Sequence, residues 1–401
     1  MSDTTTQRTL VDEAIDSLLA AVDPKTTSTV AFREQQFDAG LAWVHHPVGY
    51  GGLGVDAEYQ VYVNQRLAEA GCPAMPPEAF FLHLAGPTIM AHGSDAQRQR
   101  YLRPMFSGEE TWCQLFSEPG AGSDFAGLGC KAVKDGDEWI VNGQKVWNTL
   151  AHLAKWGMLV TRTDPDQPKH RGMTYFIVDM GAPGVEVRPL RQITGEAEFN
   201  EVYLTDVRIP DDQRVGDRGD GWRVALTTLM NERVAIGGAV GTPGRNIGPI
   251  ADLLNTWQAV PEGERNPVAR DRVTSLYCRA ETLRLLNVRA RESMRSGIPG
   301  PEGSIAKLAL AELTKAIYET CLDIEGMAST IDYDFTFRRP GELDLTGAGS
   351  GIHHAFLRVR ANSIEGGTSE IMRNILGEQV LGLPGEPRPD KGVPWKDVPR
   401  N

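Results

Sequence analysis

Residues 112–124 read Trp112-Cys-Gln-Leu-Phe-Ser-Glu-Pro-Gly-Ala-Gly-Ser-Asp124. An apolar, strand-forming run ends there in a Pro-Gly-Ala-Gly turn closed by Ser123 and Asp124. Such a turn exposes backbone N–H groups and hydroxyls beside a strand end, a set that suits a flat polar ring or a pyrophosphate. A tight turn capped by Ser123 and Asp124 accounts for the same residues without a ligand. The stretch also marks the point where the texture of the chain changes, and the fold reading works outward from it.

Upstream, residues 1–110 read as mostly helical. Apolar residues recur at helical spacing over 57–70, and 95–102 reads as a short charged helix that Pro104 should end. The run Gly49-Tyr-Gly-Gly-Leu-Gly54 lacks a preceding strand and the Rossmann spacing, so it reads as a plain loop. Downstream, 111–216 reads as β-structure. Asp135-Gly136 and Asn142-Gly143 both favour tight hairpin turns, the first between 131–133 and 138–141, the second between 138–141 and 145–147. Further strands are predicted at 156–161, 174–179, 185–189 and 202–209, with 211–220 as a link onward. From 222 to about 381 the pattern is helical again, with long helices predicted at 222–240, 270–296, 302–326 and 351–382, broken at 296–303 and 339–351. The tail beyond Leu383 holds five of the 25 prolines and should run extended, pinned to the body by Trp395. Helix block, β block and helix block in that order disfavour an alternating doubly wound sheet. The predicted domains are 1–110, 111–216 and 217–401, the middle one an antiparallel barrel or sandwich.

The bulk numbers agree with a multidomain globular chain. It has 401 residues, 41% hydrophobic and 23% charged, with no run approaching the roughly 18 apolar residues of a membrane span. The N-terminal stretch has no basic start with an apolar core, and its acids speak against an organelle leader, so a cytoplasmic location is expected. A formal net charge of −12 disfavours nucleic acid as a partner. The five cysteines, Cys72, Cys113, Cys130, Cys278 and Cys321, show no metal-ligand spacing and read as reduced thiols buried as small hydrophobes, and no metal is expected.

Three further segments offer chemistry. Gln144-Lys-Val-Trp-Asn-Thr149 places a broad aromatic face and a hydroxyl at a strand end, although a core tryptophan reads the same way. In 222–240, Trp222, Leu226, Leu229, Ile236 and Val240 form one stripe with Arg233 inside it and Glu232 at its edge. A carboxylate on such a border loses solvation, its pKa rises, and it suits a general base; a solvated or interdomain ion pair is the competing reading. Finally, Ser363-Ile-Glu-Gly-Gly-Thr-Ser-Glu-Ile-Met-Arg373 opens a turn at Gly366-Gly367 and starts a helix with Thr368 as N-cap, a place that attracts anions or is simply capped.

Taken together, in order and separation, these segments resemble the acyl-CoA dehydrogenase family over residues 37–384. The resemblance implies a helical N-terminal domain, a central β-barrel, a C-terminal four-helix bundle and a bound FAD, usually in a tetramer. It implies that Gln114, Phe116 and Ser117 line the flavin ring, that Trp147 stacks near it and that Thr149 reaches its N5 region. Ser123 would touch the CoA arm of the acyl-CoA substrate, and Thr368 and Glu370 the ribityl-phosphate portion of the cofactor. The family's chemistry is removal of hydrogens from the α and β carbons of an acyl thioester, with electrons passed to an electron-transferring flavoprotein. Many members carry the base immediately before Gly-Thr in the second motif, which is Gly366 here. A subset similar to isovaleryl- and long-chain-type enzymes carries it on the first helix of the bundle, which is Glu232. Arg233 would anchor that carboxylate, and the Gly366 N–H would polarise the substrate carbonyl.

Two departures leave alternatives open. No Arg-x-x-Phe-Gly segment occurs in the matching region, 255–266, which reads as irregular, and Gly326-Met-Ala-Ser replaces a glycine-rich loop. A homo-oligomer, a subunit sharing its FAD site with a sister chain, a flavin oxidase and a non-dehydrogenating binding relative all remain on the table.

Overall fold

The computed structural model describes residues 2–73, 80–240, 246–331, 334, 336–341 and 351–399 apart from 296–301; the side chains of 2–4, 233–240, 291–295 and 302 lie outside the description. The chain divides into two compact units. The first comprises Met1–Arg188, Asn200–Thr228 and Gly392–Asn401; the second comprises Pro189–Phe199 and Leu229–Lys391.

The first unit opens with helices α1 (Ser2–Ala21), α2 (Thr29–Asp38), α3 (Tyr59–Glu69), α4 (Leu82–His92) and α5 (Asp95–Ser107). Val11, Ile15 and Leu18 of α1 meet Phe32 of α2 and Val63 and Leu67 of α3 in one core. Helix α5 begins with a capping box between Ser94 and Gln97, and Pro104 does not end it. The helix carries Pro104 inside and runs to Gly108, which caps it at φ 82°. A missing N–H and ring clash cost a helix roughly 3 kcal/mol, but stopping at Pro104 would unseat Met105 and Phe106. Both are buried, and the Phe106 ring lies 5.2 Å from that of Trp43. The Gly49–Gly54 run is a set of turns whose N–H groups bond back to Val44 and His46 carbonyls.

Eight strands follow: β1 (Trp112–Leu115), β2 (Lys131–Asp135), β3 (Glu138–Lys145), β4 (Trp156–Arg162), β5 (Met173–Asp179), β6 (Val185–Pro189), β7 (Asn200–Pro210) and β8 (Arg214–Val215). Their order is β6-β7-β3-β2-β4-β5-β8, with β1 beside β4. The sheet is open, so the predicted closed antiparallel barrel is corrected. Closure would need β6 to meet β8, but β8 is two residues long and, among the described residues, pairs only with β5; in addition, β1 and β2 pair with β4 in parallel. Alternate residues still build a core, from Leu115, Trp139, Val141, Leu159, Phe176, Val202 and Leu204 among others.

The two hairpin signals have different outcomes. Asp135 pairs with Glu138, so the first turn is Gly136-Asp137, one residue later than read, with Gly136 at φ 60°. Asn142-Gly143 is no turn: β3 runs through it, with a register irregularity against β7 between Val141 and Gly143. The Asn142 amide donates to Asp206 Oδ1 and its Oδ1 accepts from the Asp206 N–H, both at 2.9 Å. The extra residue of this β-bulge lies on β7, where Thr205 and Asp206 (φ 49°) face Asn142, so Asn142-Gly143 stays in the strand.

Helix α6 (Gly221–Val240) begins in the first unit and continues into the second, which adds α7 (Pro249–Ala259), α8 (Pro267–Arg295), α9 (Glu302–Glu325), α10 (Ile352–Arg358) and α11 (Ser369–Ile375). Its core joins Ile250 and Leu253 of α7, Val273 and Leu276 of α8, Leu313, Ile317 and Tyr318 of α9, and Ala355 of α10. The stretch read as irregular, 255–266, begins inside α7, whose Ile250, Leu253 and Trp257 face that core. The predicted helix over 351–382 is broken: α10 ends at Arg358, and Gly366 and Gly367 sit at φ 62° and 98° before α11 starts. Most of the predicted breaks at 296–303 and 339–351 lie outside the described residues, as do the side chains of Arg233, Ile236 and Val240.

The end of the tail belongs to the first unit. Trp395 Nε1 donates to Gly127 O at 3.1 Å, and the Arg162 guanidinium lies over its ring. Cys113, Cys130 and Cys321 are buried, but Cys278 is exposed, against the reading of all five as buried. Among the described residues, no helix is long and apolar enough to cross a membrane.

Candidate functional site

In the first unit, the end of β1 and the end of β3 are tied together residue by residue. The Val146 N–H donates to Ser117 O at 2.9 Å, and Asn148 Nδ2 donates to Gln114 O at 2.9 Å. Below them lies Lys145, with no exposed side-chain surface. Its Nζ donates to Phe116 O at 3.0 Å and to Glu118 Oε1 at 2.8 Å. The Glu118 carboxylate also accepts from the N–H groups of Gly129 (2.7 Å) and Cys130 (2.9 Å). A buried ammonium is tolerated when its donors are spent on a carboxylate and a carbonyl. Here that pairing fixes the turn that begins at Ser117.

Four of the sequence-predicted residues are thereby brought together. Gln114, Ser117 and Thr149 are half-buried, and Trp147 stands with 57% of its surface exposed. Trp147 and Leu150 hold left-handed backbone, φ 60° and 52°. Such positions are costly for side-chain-bearing residues and cluster at functional sites. Phe116 differs: its ring is buried, stacked on Phe125 at 5.0 Å and edge-on to Tyr175. Only its backbone is left to meet a ligand. Ser123 is exposed on the turn, and its neighbour Asp124 is held by Lys169 Nζ at 3.0 Å.

The second unit holds the other group. Glu232 is half-buried on α6. Lys307 lies buried on α9, donating to Asn362 O at 2.8 Å and Gly367 O at 2.5 Å. Burial pushes the Lys307 ammonium below the ordinary lysine value, while the nearby charges of Glu365, Glu232 and Glu312 pull it back up. Glu365 meets Arg358 through both oxygens, each at 3.2 Å. Gly366 follows directly, and Thr368 caps α11 by accepting from the Ile371 N–H at 3.1 Å. Glu370 is exposed and pairs with Arg373 one turn along. The side chain of Arg233 lies outside the described residues.

Sequence reading missed Lys145, Glu118, Asn148, Lys307 and Arg358. For Lys145 a signal existed: Trp139 and Val141 alternate inward along β3, and the same parity carries Lys145 inside. Lys307 and Arg358 are charged residues on helices, whose inward orientation depends on packing partners far along the chain.

The comparisons agree with this architecture. Family models described as "Acyl-CoA dehydrogenase, N-terminal domain", "middle domain" and "C-terminal domain" match residues 4–109, 113–207 and 219–381. The acyl-CoA dehydrogenase FadE34 of Mycobacterium tuberculosis is 40% identical over 86% of this chain, which spans only 45% of that protein's length. The acyl-CoA dehydrogenase IpdE1 of the same organism is 36% identical over 89% of this chain and 88% of its own. Among solved structures, the ChsE4-ChsE5 complex of Mycobacterium tuberculosis matches with TM-score 0.69 at 28% identity, over 95% of this chain and 98% of that one. The "Tcur3481-Tcur3483 steroid ACAD" matches with TM-score 0.70 at 25% identity, over 95% and 98%. The chain belongs to the acyl-CoA dehydrogenase family, whose members are FAD-dependent flavoproteins acting as oxidoreductases.

The residues present fit that cofactor. An exposed indole on strained backbone offers a stacking face, Thr149 a hydroxyl, and the buried Asn148 Oδ1 has no hydrogen-bond partner among the described residues.

Proposed function

We propose that the chain dehydrogenates an acyl-CoA thioester between its α and β carbons, giving the trans-2-enoyl-CoA, with Glu232 taking the α proton. FAD, when bound, supplies the acceptor for the β hydride. Gln114, Ser117, Trp147, Thr149 and the Phe116 backbone would hold its ring, and Thr368 and Glu370 its ribityl-phosphate arm. Ser123 would hold the CoA arm, Arg233 would anchor the base, and the Gly366 N–H would donate to the thioester carbonyl, where charge develops as the α proton leaves. The reduced cofactor would be reoxidised by an electron-transferring flavoprotein. The domain limits 1–110, 111–216 and 217–401 and a bundle of four helices in the last are part of the same reading.

The observation that carries the choice of base is the commitment of the other carboxylate. Glu365 is engaged at two points by a buried guanidinium; Glu232 is half-buried on α6, and its charge is one of those raising the Lys307 pKa. Glu232→Gln should retain FAD and lose at least about two orders of magnitude in flavin reduction by substrate. Near-normal reduction would remove Glu232 from the mechanism.

The solved relatives named as pairs favour a narrower reading: this chain works with a sister chain, on a bulky, steroid-bearing thioester. Flavin content per chain, measured after purification alone and after co-expression with a second acyl-CoA dehydrogenase chain from the same organism, decides it. A yellow, active homo-oligomer rejects the shared site.

A further inference from the structure

The Gly366-Gly367 turn is gripped twice. Lys307 holds its main chain through the carbonyls of Asn362 and Gly367. Arg358 holds its side chain: Nη1 and Nη2 each lie 3.2 Å from a different oxygen of Glu365. Arg358 is 1% exposed, and its Nε lies 3.8 Å from Glu198 Oε1. A guanidinium does not shed its proton in a protein, so burial obliges it to keep a carboxylate. For Glu365 to swing out and take a proton, it would have to leave both buried Nη groups without their acceptor, with Glu198 near only the Nε edge. The residue joined to Glu365 is Gly366, whose left-handed backbone lets its N–H direction follow whatever fixes its neighbour.

We propose that Arg358 is a positioning residue of the site: its two-point hold on Glu365 aims the Gly366 N–H and withholds the Glu365 carboxylate from proton abstraction. The inference rests on Gly366 as carbonyl donor and Glu232 as base. Its test separates the two readings.

The probe is methylthioacetyl-CoA labelled with carbon-13 at the carbonyl, a small thioether acyl group whose β position is sulfur. No hydride can leave it, so only polarisation and α-proton transfer are read. On the flavin-loaded enzyme at saturating probe, the carbonyl stretch reports the Gly366 hydrogen bond, and exchange with deuterated solvent reports proton abstraction. Arg358→Met should return the carbonyl band toward its position in the free probe and slow exchange by roughly tenfold to a hundredfold, the scale of a small misplacement. Arg358→Lys, which keeps the charge without the fork, should shift the band part of the way and remains readable if the methionine variant fails to fold. The double variant Arg358→Met with Glu365→Met should be no worse than Arg358→Met, because both act through one strut. An unshifted band in either Arg358 variant overturns the proposal, as does Glu365→Met abolishing exchange with the band unmoved. Glu232→Gln exchanging like the parent while Arg358→Met shifts the band would sink the base and leave the strut standing.

Discussion

Trp147 is held at φ 60° with most of its ring in solvent, a double cost that the fold of the first unit alone does not require. Replacing it with glycine relieves backbone strain of order 1 kcal/mol, about what glycine loses in chain entropy. The expected outcome for Trp147→Gly is an unfolding midpoint at or slightly above the parent's, with flavin lost more readily on dilution. Flavin held as tightly as before would remove the stacking role. At this scale the site was half legible. Glu232, Trp147 and the Ser117 turn stand out because each breaks the local pattern: a carboxylate on an apolar border, an aromatic at a strand end, a glycine-rich close to a strand. The residues beneath them, Lys145 and Arg358, were not read, because a charge turned inward is revealed only by the partner that neutralises it, and Glu118 and Glu365 are identified as partners only by geometry.

Gly143 shows how one element obeys two constraints. Its strand must pass Cys130 so closely that a Cβ would lie 2.7 Å from the cysteine's Cα, Cβ and Sγ. One of those atoms is backbone, so no rotamer change relieves the contact. Gly143→Ala should therefore cost about 1–3 kcal/mol in urea unfolding of the first unit, the price of overpacking; a neutral effect would mean the strand can slide. The same residue explains why the element reading erred. Asn-Gly favours a turn on local grounds, but here Gly143 is near-extended at φ 159° and the left-handed residue of the bulge is Asp206 of β7, at φ 49°. Three of the four predicted long helices and most strands were legible from periodicity. Sheet openness was not, since two-residue β8 carries almost no pattern, and α5 passing through Pro104 reflects burial of Phe106 outweighing a local penalty.

For the molecule, acid stability hangs partly on His46. Burial is the main cause holding its pKa down at about 4, with the neighbouring His45 charge a smaller one. An exposed histidine in the unfolded chain takes its proton near 6.5. Between those values the unfolded state binds more protons, so stability falls as pH drops from about 6.5 to about 4, by roughly 3 kcal/mol if His46 acts alone. His46→Phe, which keeps the stack on Trp43, should flatten that part of the urea-unfolding curve against pH; an unchanged slope would assign it elsewhere. The docking of Trp395 has a different kind of consequence. Gly127 and its hydrogen-bond partner Trp395 are separated by 268 positions. On the ribosome, then, the first unit emerges early but waits for the helices of the second to be made before its last piece arrives. Until that moment the segment after the Ser117 turn stands without its cover, and chaperones meet the nascent chain in that unfinished form.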